Sequence, residues 1–390
     1  MAIDKGQLAR WLWKIPVSSR YFGPPRAYAP DLTSLTPSEG GLVTTLRPER
    51  KVRHPVPTMA RYPHIEEEMR EYFAALATPA QSLYRLHRAR VLGEGNAHGI
   101  ITNQDRFVLG QHANWGQEIE NHPIHYTLRF PRCLRVPGTS FSMISDWSDN
   151  YWHWLFDVIG KWLVLREREP ACLPKIDHYL VLNLSQFPFK LQSLLQLGVA
   201  KSQVIDVNHS AHLCCDDLLI ADRPHLNPIL EQDLIDALRR AFLPQARARA
   251  GTRRIYISRA RCKNRRLANE AELVARLQPL GFETVYLEDW DFSRQVQLFQ
   301  DVGVVLAQHG AGLSNLVFCA PGVKMFELME PEHINPCYAL ICEKLSLEYT
   351  MLCNGKAEHI ARSGWRSMPD QTSFDVDEII DVLFRSLGQS

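Results

Sequence analysis

An α/β fold built on parallel sheet is what this sequence predicts, and three observations predict it. Short apolar segments alternate with helix-like stretches along most of the chain, five alternations run without a break in the second half, and 390 residues exceed what one hydrophobic core usually serves. Two domains are therefore expected.

Residues 1–90 are rich in proline, with Pro24-Pro25, Pro30, Pro37, Pro48, Pro55 and Pro57, and hold one helical stretch from Ile65 to Ala77. They read as an irregular extension wrapped on the surface. Near its start Trp11, Trp13 and Ile15 mix with Lys5, Arg10, Lys14 and Arg20, a composition that suits either a packing arm or a membrane interface. Residues 91–225 read as the first α/β domain. Short strands between Val91 and Ser142 precede a helix at 151–169, a strand at Tyr179–Leu184, a helix through Leu191–Leu197 and a strand at Gln203–Val207. Asp, Pro and Asn cluster between Ala221 and Leu226, where the boundary is expected.

Residues 226–390 form the second domain. Helix Ile229–Phe242, strand Arg254–Ser258, helix Asn269–Gln278, strand Glu283–Leu287, helix Ser293–Gln300, strand Val302–Ala307, helix Ala311–Phe318 and strand Val323–Leu328 follow in order. Asn269 reads as the N-cap of its helix, with Glu272 completing a capping box.

Composition narrows the function. Lys and Arg number 44 against 43 Asp and Glu, so no overall field draws nucleic acid, and any electrostatic argument is local. Apolar runs such as Val302–Ala307 fall far short of the ~20 residues that cross a bilayer. Charges at Asp4, Lys5, Arg10 and Lys14 interrupt what a secretory signal would need, so a cytoplasmic location is expected. Nine cysteines without a C-x-x-C pair read as reduced thiols rather than a disulfide framework or zinc site.

In an open parallel sheet, ligands bind beyond the carboxyl ends of the strands, and three loops there carry unusual residues. From Arg247 to Arg266, through strand Arg254–Ser258 and the loop after it, nine residues are Arg or Lys, and forked guanidinium groups such as Arg259 and Arg266 suit a diphosphate. A solvated basic face is the plainer alternative. Between strand Val302–Ala307 and the next helix stands Gln308-His309-Gly310-Ala311-Gly312-Leu313-Ser314-Asn315. Its glycines allow close backbone approach, and amides at a helix start attract an anion. Glu327 ends the following strand, where a carboxylate can accept from both hydroxyls of a ribose. In the first domain, His153 and Asp157 stand four apart on a helix that also carries Trp154 and Phe156. They form either an acid/base site with sugar-stacking walls or a core helix whose His and Asp bond each other.

Together these residues resemble glycosyltransferase family 61. The matching pieces are Tyr151-Trp-His-Trp-Leu-Phe-Asp157, Tyr256-Ile-Ser-Arg259 with Arg265-Arg266 and Asn269-Glu270, Gly281-Phe282, His309-Gly-Ala-Gly-Leu-Ser-Asn315 with Phe318, Pro321-Gly322, and Glu327-Leu328. They span residues 90–330 in the family's order.

The resemblance implies a GT-B architecture, two Rossmann-like domains facing across a cleft, with the donor nucleotide on the C-terminal one. It implies inversion at the anomeric carbon without an obligatory metal or other cofactor. A nucleotide-sugar, weighted to a UDP-sugar, would be the donor and a glycan hydroxyl the acceptor. Asp157 is the first candidate for the base, assisted by His153, with His309 as competitor. Arg259, Arg266 and Gly310 to Leu313 would cradle the diphosphate, Ser314 or Asn315 would touch a phosphate, and Glu327 would bind the ribose. A bacterial enzyme of capsule, lipopolysaccharide or exopolysaccharide synthesis is expected, with a peripheral contact to the inner membrane surface. Two rivals are a binding protein of the same fold without catalysis and a hydrolase using His153, Asp157 and His309.

Overall fold

A computed structural model describes residues 18–51, 55–59, 61–74, 76–93, 98–109, 122, 124, 127–145, 147–208, 211–225, 229–243, 245, 247–331, 334–355 and 371–388. The Trp11/Trp13 stretch and the end of the boundary segment at Leu226 lie outside these residues. The chain divides into two compact units, Met1–Arg50 with Pro79–His225, and Lys51–Thr78 with Leu226–Ser390.

The first unit is organised by a mixed sheet. Its strands are β1 (Ala27–Ala29), β2 (Gly40–Arg47), β3 (Gln81–His87), β4 (Arg90–Leu92), β5 (Gly99–Ile101), β6 (Arg106–Val108), β7 (Leu134–Ser142), β8 (His178–Leu182), β9 (Val204–Val207) and β10 (His212–Ala221). The main path runs β1-β6-β5-β4-β10-β7-β8-β9, with β3 also on β10 and β2 on β3. The β10-β7-β8-β9 part is parallel, as is the short β1–β6 pair at the other end of the path. From β3 to β6 the pairing is antiparallel, because turns as short as that at Asp105 (φ 64°) cannot carry the crossover a parallel pair needs.

The stretch read as an irregular extension is built into both units. β1 and β2 pair within the first sheet. The helix Pro63–Ala74 buries Ile65, Met69 and Phe73, spaced four apart, in the core of the second unit with Met329, Leu340 and Met351. Proline punctuation in the sequence concealed this role, because pairing partners for such short elements lie far along the chain.

The second unit holds a parallel sheet in the order β13-β11-β14-β15-β16. Here β11 is Arg253–Ile257, β12 Arg266–Leu267, β13 Phe282–Val285, β14 Val302–Gln308, β15 Lys324–Met329 and β16 Glu348–Cys353; β12 pairs separately with β17 (Gln371–Thr372). Helices Glu270–Leu277 and Phe292–Asp301 connect them, each one residue from its expected ends. Asn269 caps nothing with its side chain. It is tied to the backbone of Phe374 instead, donating to the carbonyl oxygen at 2.8 Å. All nine cysteines are free thiols.

Candidate functional site

In the first unit the chemistry gathers on the helix at 151–168. Asn150 caps it by accepting from the Trp152 amide, and residues Trp154–Ile159 are wound as a π-helical segment between α-helical turns. Such segments insert one residue per turn and are frequent at functional sites. Trp154 and Phe156 are fully buried in the core, so they are not sugar-stacking walls. Trp154 instead donates its indole N–H to Ser193 Oγ at 2.9 Å.

His153 and Asp157 do meet. His153 Nδ1 lies 2.9 Å from Asp157 Oδ2, and His225 Nε2 lies 2.5 Å from Asp157 Oδ1, with Arg223 Nη1 3.8 Å from Oδ2. Burial alone would raise the Asp157 carboxyl. The charge of His225 and hydrogen bonds from both imidazoles outweigh it and hold the group well below the usual carboxylate range. Asp157 is fully buried and accepts on both oxygens. That arrangement suits it to orient His153. Among the described residues His153 is hydrogen-bonded only through Nδ1, so its Nε2 is the nitrogen left to act as a base.

In the second unit the register of three parallel strands builds the site. Glu327 on β15 lies opposite Ala307 on β14 and Met351 on β16. Side chains two residues away share its face, which brings in His309 and Tyr349. His309 Nδ1 sits 2.7 Å from Glu327 Oε1, and the Tyr349 hydroxyl donates to Oε2 at 2.7 Å. Glu327 is fully buried with both oxygens engaged, an arrangement that suits it to orient His309. Burial pulls His309 below its ordinary pKa. Glu327 opposes that, and the charges of Arg265 and Arg259 add to it.

The loop after β11 wraps this histidine. Arg265 adopts a left-handed backbone, φ 57°, a conformation that costs on the order of 1–3 kcal/mol. The turn brings its Nη1 within 2.8 Å of the His309 carbonyl oxygen. Burial, with Arg259 close by, lowers the Arg265 guanidinium to about 10. Arg259 donates to the carbonyl oxygens of Arg265 and Asn264 at 3.3 and 3.2 Å. A methyl group on Gly310 would collide with Arg259 Nη1, so the glycine is what lets the arginine lie against the loop.

Residues Ala311–Phe318 form a 3₁₀ helix rather than an α-helix. Leu313 N closes its first turn onto the Gly310 carbonyl at 2.9 Å, and Ala311 and Gly312 begin it half-buried. Asn315 turns inward, donating to Gln295 Oε1 at 2.9 Å, and Ser314 is equally buried, so neither presents to a phosphate. Arg266 belongs to β12 and is not joined to this loop by any hydrogen bond among the described residues. Arg265, its neighbour, is the residue bonded to the loop, at the His309 carbonyl oxygen.

The spacing Asp-x-Asp, which can hold a divalent ion on a diphosphate, occurs at Asp289–Asp291 and Asp375–Asp377. Each is engaged locally: Asp289 pairs with Arg261, Asp377 with Arg276, and Asp291 and Asp375 cap helices.

Residues 151–326 match the family model described as Glycosyltransferase 61. This segment is a glycosyltransferase 61 domain. It begins at the helix bearing His153 and ends one residue before Glu327, so it includes Asp157, His225, Arg259, Arg265 and the His309 loop. The chain is 24% identical over 353 residues to the EGF domain-specific O-linked N-acetylglucosamine transferase of Drosophila melanogaster, covering 81% of this chain and 65% of that protein. It is 38% identical over 69 residues to a beta-1,2-xylosyltransferase of Arabidopsis thaliana, 17% of this chain and 13% of the relative. The chain thus spans about two thirds of the fly protein's length and a small part of the plant protein's.

His225, Tyr349 and Tyr338, whose ring centroid lies 5.1 Å from that of His309, went unrecognised in the sequence. His225 is 68 residues from Asp157, and no periodicity links them.

Proposed function

We propose that the protein is an inverting glycosyltransferase that moves a sugar from a nucleotide-sugar, a UDP-sugar by preference, to a hydroxyl of a glycan. The observation that carries the reading is the buried His153–Asp157 pair on the helix that opens the glycosyltransferase 61 domain. The named activities of the fly and plant relatives support the reaction class.

In this reading the acceptor hydroxyl gives its proton to His153 Nε2 as its oxygen bonds to the anomeric carbon. The bond from that carbon to the diphosphate breaks, and the configuration inverts. Asp157 stabilises the imidazolium that forms. The leaving diphosphate is taken up by Arg259, Arg265 and the amides opening the Ala311–Phe318 helix. His309 is the weaker base candidate, because the arginines around it disfavour a second positive charge.

The reading includes a GT-B organisation, with acceptor chemistry in the first unit and the donor in the second, and independence from metal. Assignment to cytoplasmic synthesis of a bacterial surface polysaccharide, at or near the inner membrane, rests on the family resemblance alone.

The test is thermal stabilisation against UDP, GDP, CMP and their sugar conjugates with and without EDTA, followed by transfer assays with the conjugates that bind. A shift with one nucleotide class that survives EDTA, together with transfer abolished by His153→Ala, is the expected outcome. No shift with any nucleotide overturns the reading.

A further inference from the structure

Asp157 is held from two sides, and the second hand comes from outside the helix. His225 follows β10, is almost fully buried, and puts Nε2 2.5 Å from Asp157 Oδ1. Its other nitrogen, Nδ1, is buried and has no hydrogen-bond partner among the described residues. A proton on Nδ1 would have no acceptor, so the proton resides on Nε2 and His225 is a donor to the carboxylate. The charged and titratable groups facing Asp157 are then His153 from its own helix, and His225 and Arg223 from the segment after β10.

A carboxylate has two equivalent oxygens and turns about its last bond. With one oxygen bonded by His225, the other is fixed toward His153. That oxygen accepts from Nδ1 of His153, which leaves the Nε2 lone pair for an incoming hydroxyl. Without the His225 bond, Oδ1 would be a buried charged atom lacking a donor, and the carboxylate would rotate to recover one at the expense of His153.

We propose that His225 is a positioning residue of the transfer reaction: its Nε2–H locks the Asp157 carboxylate and so keeps His153 in the tautomer whose Nε2 is basic. The proposal rests on the reading of His153 as the base, and its test separates the two.

The readout is the imidazole tautomer of His153 in the full chain, followed by two-bond ¹H–¹⁵N correlation after ¹⁵N-histidine labelling and assigned by its loss in His153→Gln. The unaltered protein and His225→Gln, whose amide N–H reaches the same place, should carry the His153 proton on Nδ1. His225→Leu, similar in bulk and without a donor, should lose that signature. Turnover of UDP-N-acetylglucosamine or UDP-xylose, whichever is used, should fall on the order of a hundredfold in His225→Leu. UDP affinity should stay unchanged. If His225→Leu does not fold, His225→Gln against the shorter His225→Asn makes the same distinction. An unaltered His153 tautomer in the donor-less variant overturns the proposal, even if its melting temperature drops. A tautomer that changes in His225→Leu while His153→Ala keeps full turnover overturns the base reading instead, and leaves His225 holding a dyad without a role in transfer.

Discussion

Each unit of this protein buries a carboxylate that grips a histidine through Nδ1, yet the two pairs are built by different means and sit in different fields. His153 and Asp157 are four residues apart on one helix, and the second partner of the carboxylate is another imidazole. His309 and Glu327 come from neighbouring parallel strands, 18 residues apart, and the second partner is the Tyr349 hydroxyl. Around the first pair, the imidazoles favour a carboxylate ready to stabilise a new positive charge. Around the second, Arg265 and Arg259 resist one. In the reading proposed above, the same two side-chain types are assigned to proton acceptance in one place and anion binding in the other, on the strength of their neighbours.

The comparison breaks most sharply at the histidines. His153→Ala should lower turnover by roughly a hundredfold to ten-thousandfold, as for a lost general base, with UDP affinity intact. His309→Ala should chiefly weaken UDP binding in calorimetry. The opposite pattern would exchange the two roles.

Next in size are the arginines. Arg259→Ala and Arg265→Ala should each weaken UDP binding by about 1.5–3 kcal/mol, the range for a lost hydrogen bond to a charged group. Arg266→Ala should have a smaller effect, since β12 holds it apart; equal losses at 265 and 266 would return Arg266 to the cradle. Gly310→Ala should cost less than either arginine, because it displaces the Arg259 guanidinium without removing it. Binding as weak as in Arg259→Ala would mean that the loop backbone itself had moved.

The smallest effect concerns pH and stability. His309 is held below its ordinary value of 6.5. As pH falls below 6.5, the unfolded chain takes up this proton before the folded one does, so folding loses stability through that window. His309→Gln should flatten part of the decline in melting temperature on acidification. A slope identical to that of the unaltered protein would refute the buried neutral histidine.

Much of the second unit was legible because its sheet is parallel and both faces are covered. Each strand then reads as an apolar run followed by a helix, and the ligand loops fall after the run. The His153–Asp157 spacing was legible for a similar reason, since a helix converts four residues into one face. The helix Pro63–Ala74 showed its apolar stripe, yet nothing local said that Ile65, Met69 and Phe73 pack in the second unit's core rather than the first's.

What the sequence determined by itself is therefore what depends on short range: the α/β alternation, the loop beginning at His309, the helical pair and the family of residues 151–326. Tertiary structure alone decided that Asp157 and Glu327 are fully buried with both carboxylate oxygens engaged. It also decided that Arg265 rather than Arg266 meets the histidine loop, and that His225 closes the far side of Asp157. Those outcomes depend on register, on backbone turns such as the left-handed Arg265, and on which oxygen of a carboxylate is already taken. Residue type and spacing carry none of that information, because it arises only when distant segments compete for the same buried hydrogen bonds.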